Sequence, residues 1–231
     1  KELETLLNLS PKVEKIAIKD VKMRTFIASD SSRDEMVSHV YDITYGAINS
    51  HKDTLVIIDD SIVRGTTLQK SILSILDRLK PKKIIVVSSA PQIRYPDCYG
   101  IDMSILQGFI AFRALDALII ENGLSHKKDE VYEKCRLAFE NGTATEVNYL
   151  KELYDLYTAE EISAKISEIV KPECVNADVE VVYQTIENLH TACPNHLGDW
   201  YFTGKFPTKG GNRVTNRAFM YFMEGKEKRA Y

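Results

Sequence analysis

The sequence has no surplus of positive charge. Thirty Lys and Arg stand against 33 Asp and Glu, a formal net charge of −3. Nucleic-acid-binding domains carry a basic excess that neutralises phosphates, so no nucleic-acid partner is expected. Long apolar runs are also missing. The aliphatic runs Leu55–Ile58 and Ile84–Val87 are strand-sized, far short of the ~18 residues that span a bilayer. No membrane partner and no secretory leader are expected. Cysteine is sparse and scattered, at Cys98, Cys135, Cys174 and Cys193, with no C-x-x-C pair. That spacing argues against a structural zinc site and against a disulfide framework. It fits reduced thiols in a cytoplasmic protein.

What remains is the composition of an ordinary globular protein, 44% hydrophobic and 27% charged. A chain of 231 residues accommodates one large domain, or one domain with an appendage. Thr54–Ile58 is a continuous aliphatic run, as a strand buried on both faces requires. Leu68, Ile72, Ile75, Leu76 and Leu79 then recur at helical spacing until Pro81. Lys83–Ser88 is a second buried-strand pattern. Strand, loop, helix and strand over residues 54–88 predict a βαβ unit with parallel strands. Upstream, Val13, Ile16 and Ile18 suggest an edge strand, Arg24–Ile27 a short strand, and residues 36–48 are ambiguous. Downstream, Leu106–Ile120 reads as helix. From Glu130 onward the stripes Val131–Phe139, Val147–Tyr157 and Ile162–Val170 all read as helix. Val179–Leu189 fits a fourth helix or, through Val179, Val181 and Tyr183, a strand. Residues 194–217, rich in Gly and Pro, read as loop. The expected class is α/β: a parallel sheet flanked by helices over residues 1–125, incomplete at its N-terminal side. A mostly helical C-terminal extension, residues 126–231, packs on it.

The chemistry concentrates where the first buried strand ends. Asp59 and Asp60 sit at its carboxyl end, where open parallel sheets bind ligands. Adjacent acids repel there and suit a ribose diol or a Mg²⁺ ion, which prefers carboxylate oxygen plus substrate phosphate. The loop Ser61, Ile62, Val63, Arg64, Gly65, Thr66, Thr67 then runs into a helix N-terminus. Unpaired N–H groups and the helix dipole favour an anion there. The hydroxyls of Ser61, Thr66 and Thr67 add donors, and Gly65 allows close approach. A plainer alternative stays open: the acids only finish a loop, and Thr66-Thr67 is an N-cap. The Walker pattern is absent, and a single glycine excludes the dinucleotide fingerprint.

Residues 55–67, LVIIDDSIVRGTT, resemble the phosphoribosylpyrophosphate (PRPP) signature of type I phosphoribosyltransferases. The form DDSIVRGTT is similar to that of the amidophosphoribosyltransferase family. Three further segments resemble the same family: Arg24–Ile27, Ser89–Met103 (SAPQIRYPDCYGIDM, against a family SAPEIRxPxxYGIDM) and Phe202–Thr208 (FTGKFPT). The resemblance implies a type I phosphoribosyltransferase-like sheet. It also implies displacement of pyrophosphate from PRPP by glutamine-derived ammonia, giving 5-phosphoribosylamine, the first step of purine nucleotide synthesis. Asp59 and Asp60 would be the catalytic acids that hold the ribose hydroxyls and Mg²⁺. Residues Ser61 to Thr67 would bind the 5′-phosphate. Purine nucleotides and further copies of the chain are the implied partners.

The chain also departs from that pattern. The family's N-terminal glutaminase domain has no counterpart in this sequence, and the first residue is Lys. The sequence is therefore expected to be the back part of a longer protein, inactive with glutamine by itself. The family's flexible loop carries a basic run whose cations meet pyrophosphate. Here residues 36–46 offer only His39, with Arg33 just upstream. The clustered branch of the family places iron–sulfur cysteines where this chain has Gly198 and Tyr201. Cys98 lies one residue from a third such position, and Cys193 is too far upstream. No iron–sulfur cluster is expected. Two alternatives follow: a non-catalytic PRPP- or nucleotide-sensing module, and a type I phosphoribosyltransferase acting on a nucleobase.

Overall fold

The computed structural model describes residues 17–19, 41–98, 103, 105–195 and 198–230. Strands β1 (Ala17–Lys19) and β2 (Tyr41–Ile43) pair antiparallel. The main sheet is parallel, in the order β3 (Thr54–Asp59), β4 (Lys83–Ser88), β5 (Asp178–Tyr183). The expected βαβ unit is present. After β3 the chain enters a π-helical turn, Leu68–Ile72, that continues as α1 (Leu73–Asp77). Of the predicted stripe, Leu68, Ile75, Leu76 and Leu79 are buried and Ile72 is half-buried; Leu73 is buried as well.

β3 is not covered on both faces. Leu55 is buried, but Val56 is 60% and Ile58 76% exposed. The strand order advances in one direction, and right-handed crossovers then place both connections on the same face. The burial agrees: Leu55, Ile84, Val86 and Val181 face the helices, whereas Val56, Ile58 and Val182 face outward. At the sheet's lower end, Lys83 and Glu180 form an ion pair. On the helical face, α2 (Ile110–Glu121) is apolar nearly all round and forms the centre of the core. Gly123, with φ +68°, ends it.

The remaining helices are α3 (Ser125–Glu140), α4 (Leu150–Tyr154), α5 (Ala159–Val170), α6 (Ile186–Ala192), α7 (Trp200–Thr203) and α8 (Lys209–Met223). α5 begins at a capping box. Thr158 Oγ1 accepts from the Glu161 amide at 3.2 Å, and the Thr158 amide donates to Glu161 Oε2 at 2.7 Å. Its Ile162, Ile166 and Val170 stripe is buried.

One open alternative is decided and one further expectation changes. Residues 178–183 are the third sheet strand, hydrogen-bonded to β4 along its length, so the C-terminal half contributes to the sheet itself. Residues 209–217, expected as loop, are helical in spite of Gly210-Gly211. A side chain at Gly211 would collide with the Phe206 ring, so helix and aromatic loop pack together only because that position is glycine. Among the described residues, no helix is long and apolar enough to cross a membrane.

Candidate functional site

The site forms at the carboxyl ends of β3 and β4. Asp59 is register-paired with Ser88. Beyond the strands, the Ser89 amide donates to Asp59 O at 2.9 Å and the Ala90 amide to Asp60 O at 3.0 Å. Ser89 Oγ donates to Asp60 O at 3.1 Å. Residues 89–90 thus strap the acid pair in place. Both open the Ser89–Met103 motif segment, but the contact itself exists only once the two strands lie parallel.

The two acids differ. Asp59 is partly buried, and its Oδ1 accepts from the Asp60 amide at 3.0 Å. Burial pushes its carboxyl above the usual range, the side chain and charge of Asp60 add to this, and the bond from the Asp60 amide partly opposes it. Asp60 is exposed. Two adjacent carboxylates plus ligand oxygens are a donor set that suits Mg²⁺. Among the described residues, no cluster of three or more His, Cys, Asp or Glu forms a metal site built from protein alone.

The loop Ser61–Thr67 is anchored from beneath and open above. Ile62 is buried at 4% exposure. Val63 O accepts from the Ile110 amide at 2.8 Å, and Gly65 O from the Gln69 amide at 2.9 Å. The amides of Ser61, Ile62, Val63, Gly65, Thr66 and Thr67 have no acceptor among the described residues. Thr67, in helical conformation, makes no side-chain cap bond, so the plain N-cap alternative lacks its hydrogen bond. The Thr66 and Thr67 residues are exposed. Arg64 is exposed and reaches toward Gly108, where an added Cβ would lie 3.9 Å from its Nε.

Gly65 has a reason beyond approach to a ligand. Its φ of +70° is left-handed. A Cβ there would lie 3.1 Å from Val170 Cγ1 and 3.4 Å from Ile110 Cγ1. The site therefore offers two acids, several donors without acceptors among the described residues and a helix start, all on one rim. That arrangement can hold a phosphorylated sugar with its metal.

Beyond Ala90, the segment after β4 also meets the C-terminal motif segment. The Arg94 and Tyr95 amides both donate to Tyr201 O, at 2.8 and 3.2 Å. This joins the loop after β4 to the FTGKFPT segment. Gly204, at φ +71°, packs against Asn148 and Tyr95, and Phe206 packs on the core. Gln92, where the resembled pattern has Glu, donates Nε2 to Ala159 O at 2.7 Å and to Ser163 Oγ at 2.8 Å. Its Oε1 accepts from Arg94 Nε and Nη2. A carboxylate could not make the bond to Ala159 O. Cys98 is half-buried, Cys174 and Cys193 are exposed, and burial pushes the Cys135 thiol up to about 12. Arg33, His39 and the Arg24–Ile27 segment lie outside the described residues.

No protein-family profile matches the chain. Among characterised proteins, it is 47% identical over 58 residues to the amidophosphoribosyltransferase of Pasteurella multocida, covering 25% of this chain and 11% of that protein. It is 32% identical over 115 residues to the amidophosphoribosyltransferase of Saccharomyces cerevisiae, covering 46% and 22%. To that of Lachancea kluyveri it is 29% identical over 136 residues, covering 55% and 26%. The chain thus spans between 11% and 26% of the length of these relatives. Among solved structures, it is similar to the glutamine PRPP amidotransferase of B. subtilis complexed with ADP and GMP. The TM-score is 0.46 and the identity 24%, over 84% of this chain and 32% of that one. The resemblance read from the motifs is shown by these relatives, all of which are amidophosphoribosyltransferases.

Proposed function

We propose that this chain is the phosphoribosyl-handling part of an amidophosphoribosyltransferase, binding PRPP so that glutamine-derived ammonia displaces its pyrophosphate. The product would be 5-phosphoribosylamine, in the cytoplasm, at the start of purine nucleotide synthesis. The observation that carries this reading is the pairing, at one strand end, of Asp59-Asp60 with the amides of Ser61, Ile62, Val63, Gly65, Thr66 and Thr67, which have no acceptor among the described residues. The similarity to amidophosphoribosyltransferases supports the choice of reaction.

In this reading the loop Ser61–Thr67, through its acceptor-free amides and the hydroxyls of Ser61, Thr66 and Thr67, binds the 5′-phosphate. Asp59 and Asp60 accept from the ribose hydroxyls, fixing C1 for in-line attack. The same two carboxylates would hold Mg²⁺, which when bound supplies positive charge for the departing pyrophosphate. This chain needs no nucleophile of its own. Its work is to position the ribosyl group and stabilise separated charge. Purine nucleotides, which carry the same ribose 5′-phosphate, would compete for the cradle. The protein is taken as a homo-oligomer without an iron–sulfur cluster. Sedimentation of the full-length protein tests the assembly, and stoichiometric iron with acid-labile sulfide would refute the absence of a cluster.

The decisive test is Mg²⁺-dependent pyrophosphate release from PRPP by the full-length protein, with ammonia or glutamine. A second reading, a PRPP- or nucleotide-sensing module, is favoured by one feature: residues 36–46 offer only His39 for the cationic role, with Arg33 upstream. Tight PRPP binding without pyrophosphate release from either nitrogen source would select it. Release that requires a nucleobase instead would select a nucleobase phosphoribosyltransferase.

A further inference from the structure

We infer that the C-terminal end of α5 shapes the phosphate loop, and that Gln69 is the positioning residue coupling them. The inference rests on the reading of Ser61–Thr67 as a phosphate cradle. It adds a part of the molecule that neither the signature nor the acid pair involves.

α5 ends with an unmet need. A helix leaves its last carbonyls without intrahelical donors. Here Lys171 turns extended and Pro172 has no amide. The last turn of α5 carries no basic residue, and among the described residues no amide beyond the helix returns to it. Gln69 supplies a donor: its Nε2 bonds Ile169 O at 3.1 Å. The same residue's backbone amide closes the loop by bonding Gly65 O at 2.9 Å. Gln69 therefore ties the exit of the loop to a helix end 100 residues further along the chain.

The neighbouring contacts point the same way. Val170, the last residue of α5, lies against Gly65, and Ile110 at the start of α2 closes the other side. The Ile110 amide holds Val63 O. Both anchored carbonyls of the loop, at Val63 and Gly65, are thus gripped by the protein, and the amides of Ser61, Ile62, Val63, Gly65, Thr66 and Thr67 have no acceptor among the described residues. A cradle held this way needs little ordering when the phosphate arrives. If the grip loosens, the competent conformation becomes a fraction of the population and apparent affinity falls by that fraction. Gln69 touches no cradle amide, so its effect is indirect.

The experiment uses the full-length protein with Gln69→Ala, Gln69→Lys and Val131→Ala. Lysine retains a donor and is favoured at a helix C-terminus. Val131, buried on α3, controls for general destabilisation. The readouts are Mg²⁺–PRPP and inorganic phosphate titrations, amide exchange at Ile110, and the thermal midpoint. Gln69→Ala is expected to weaken binding of both probes roughly three- to tenfold, the worth of one lost hydrogen bond. It should also speed exchange at Ile110 relative to amides of α3. Gln69→Lys should restore both, and Val131→Ala should lower the midpoint with affinity unchanged. Wild-type affinity and exchange in Gln69→Ala would overturn the inference, as would an equal affinity loss in Val131→Ala. Should the wild type bind neither probe, the phosphate reading fails, and exchange at Ile110 alone then decides whether Gln69 positions the loop.

Discussion

Asp59 carries its charge at a cost to the fold. Burial raises its carboxyl pKa above the unfolded value, so the folded protein holds that proton more tightly than the unfolded chain does. Stability from this source is fully present below the ordinary aspartate pKa and is lost as pH rises through the raised one. Asp59→Asn should therefore leave the ligand-free thermal midpoint at pH 7 unchanged or slightly higher. That gain should vanish in acid. The same substitution should cut PRPP-dependent turnover by about two orders of magnitude or more, if the carboxylate positions ribose and metal. A large loss of stability with normal turnover would make Asp59 structural. Gly65→Ala combines a left-handed backbone with the Val170 contact. It should cost roughly 1–3 kcal/mol, a fall in midpoint of several degrees, and should weaken phosphate binding as well. Retention of both would show that the loop adapts.

Single elements carry distinct weights. The capping box makes α5 start at Thr158, and Thr158→Ala should cost about 1 kcal/mol in chemical denaturation. Asn216, on α8, is fully buried and is spent entirely on the α3–α4 connection. Its Oδ1 accepts from the Tyr149 amide at 3.0 Å, and its Nδ2 donates to Ala144 O at 3.1 Å and Val147 O at 2.8 Å. Asn216→Ala would leave three backbone groups without partners and should cost about 2–4 kcal/mol. Such positions escape sequence reading, because an Asn in a segment rich in polar residues has nothing to mark it as buried. The apolar stripe Ile162, Ile166, Val170 was legible for the opposite reason: its period is that of the helix itself.

At the scale of the whole molecule, the sheet crosses the boundary that composition suggests. β5 comes from the segment that otherwise reads as helical, yet pairs with β4 from Lys83↔Asp178 to Ser88↔Tyr183. Ser167 Oγ, on α5, holds the Val181 amide at 2.8 Å, and Asp77 on α1 accepts from the Asn176 and Ala177 amides. Residues 130–231 expressed alone should therefore show no cooperative unfolding transition, because β5 would lose its only strand partner among the described residues. A fragment with native-like helix content and a sharp transition would establish an independent domain instead.

The local signals were strong where one short segment contains the whole cause. Asp59-Asp60 after an aliphatic run, one glycine and two threonines before a helical stripe, and Pro81 as a stop all act within a few residues. They placed the βαβ unit and its rim correctly. Tertiary structure alone decided which face of β3 is covered, because that depends on the direction in which later strands are added. It decided whether Val179–Tyr183 is helix or strand, since both periods fit and the edge of β4 was there to be paired. It also decided why Gly65 must be glycine: the φ is local, but Val170 arrives from a helix whose own sequence says nothing about the loop it meets.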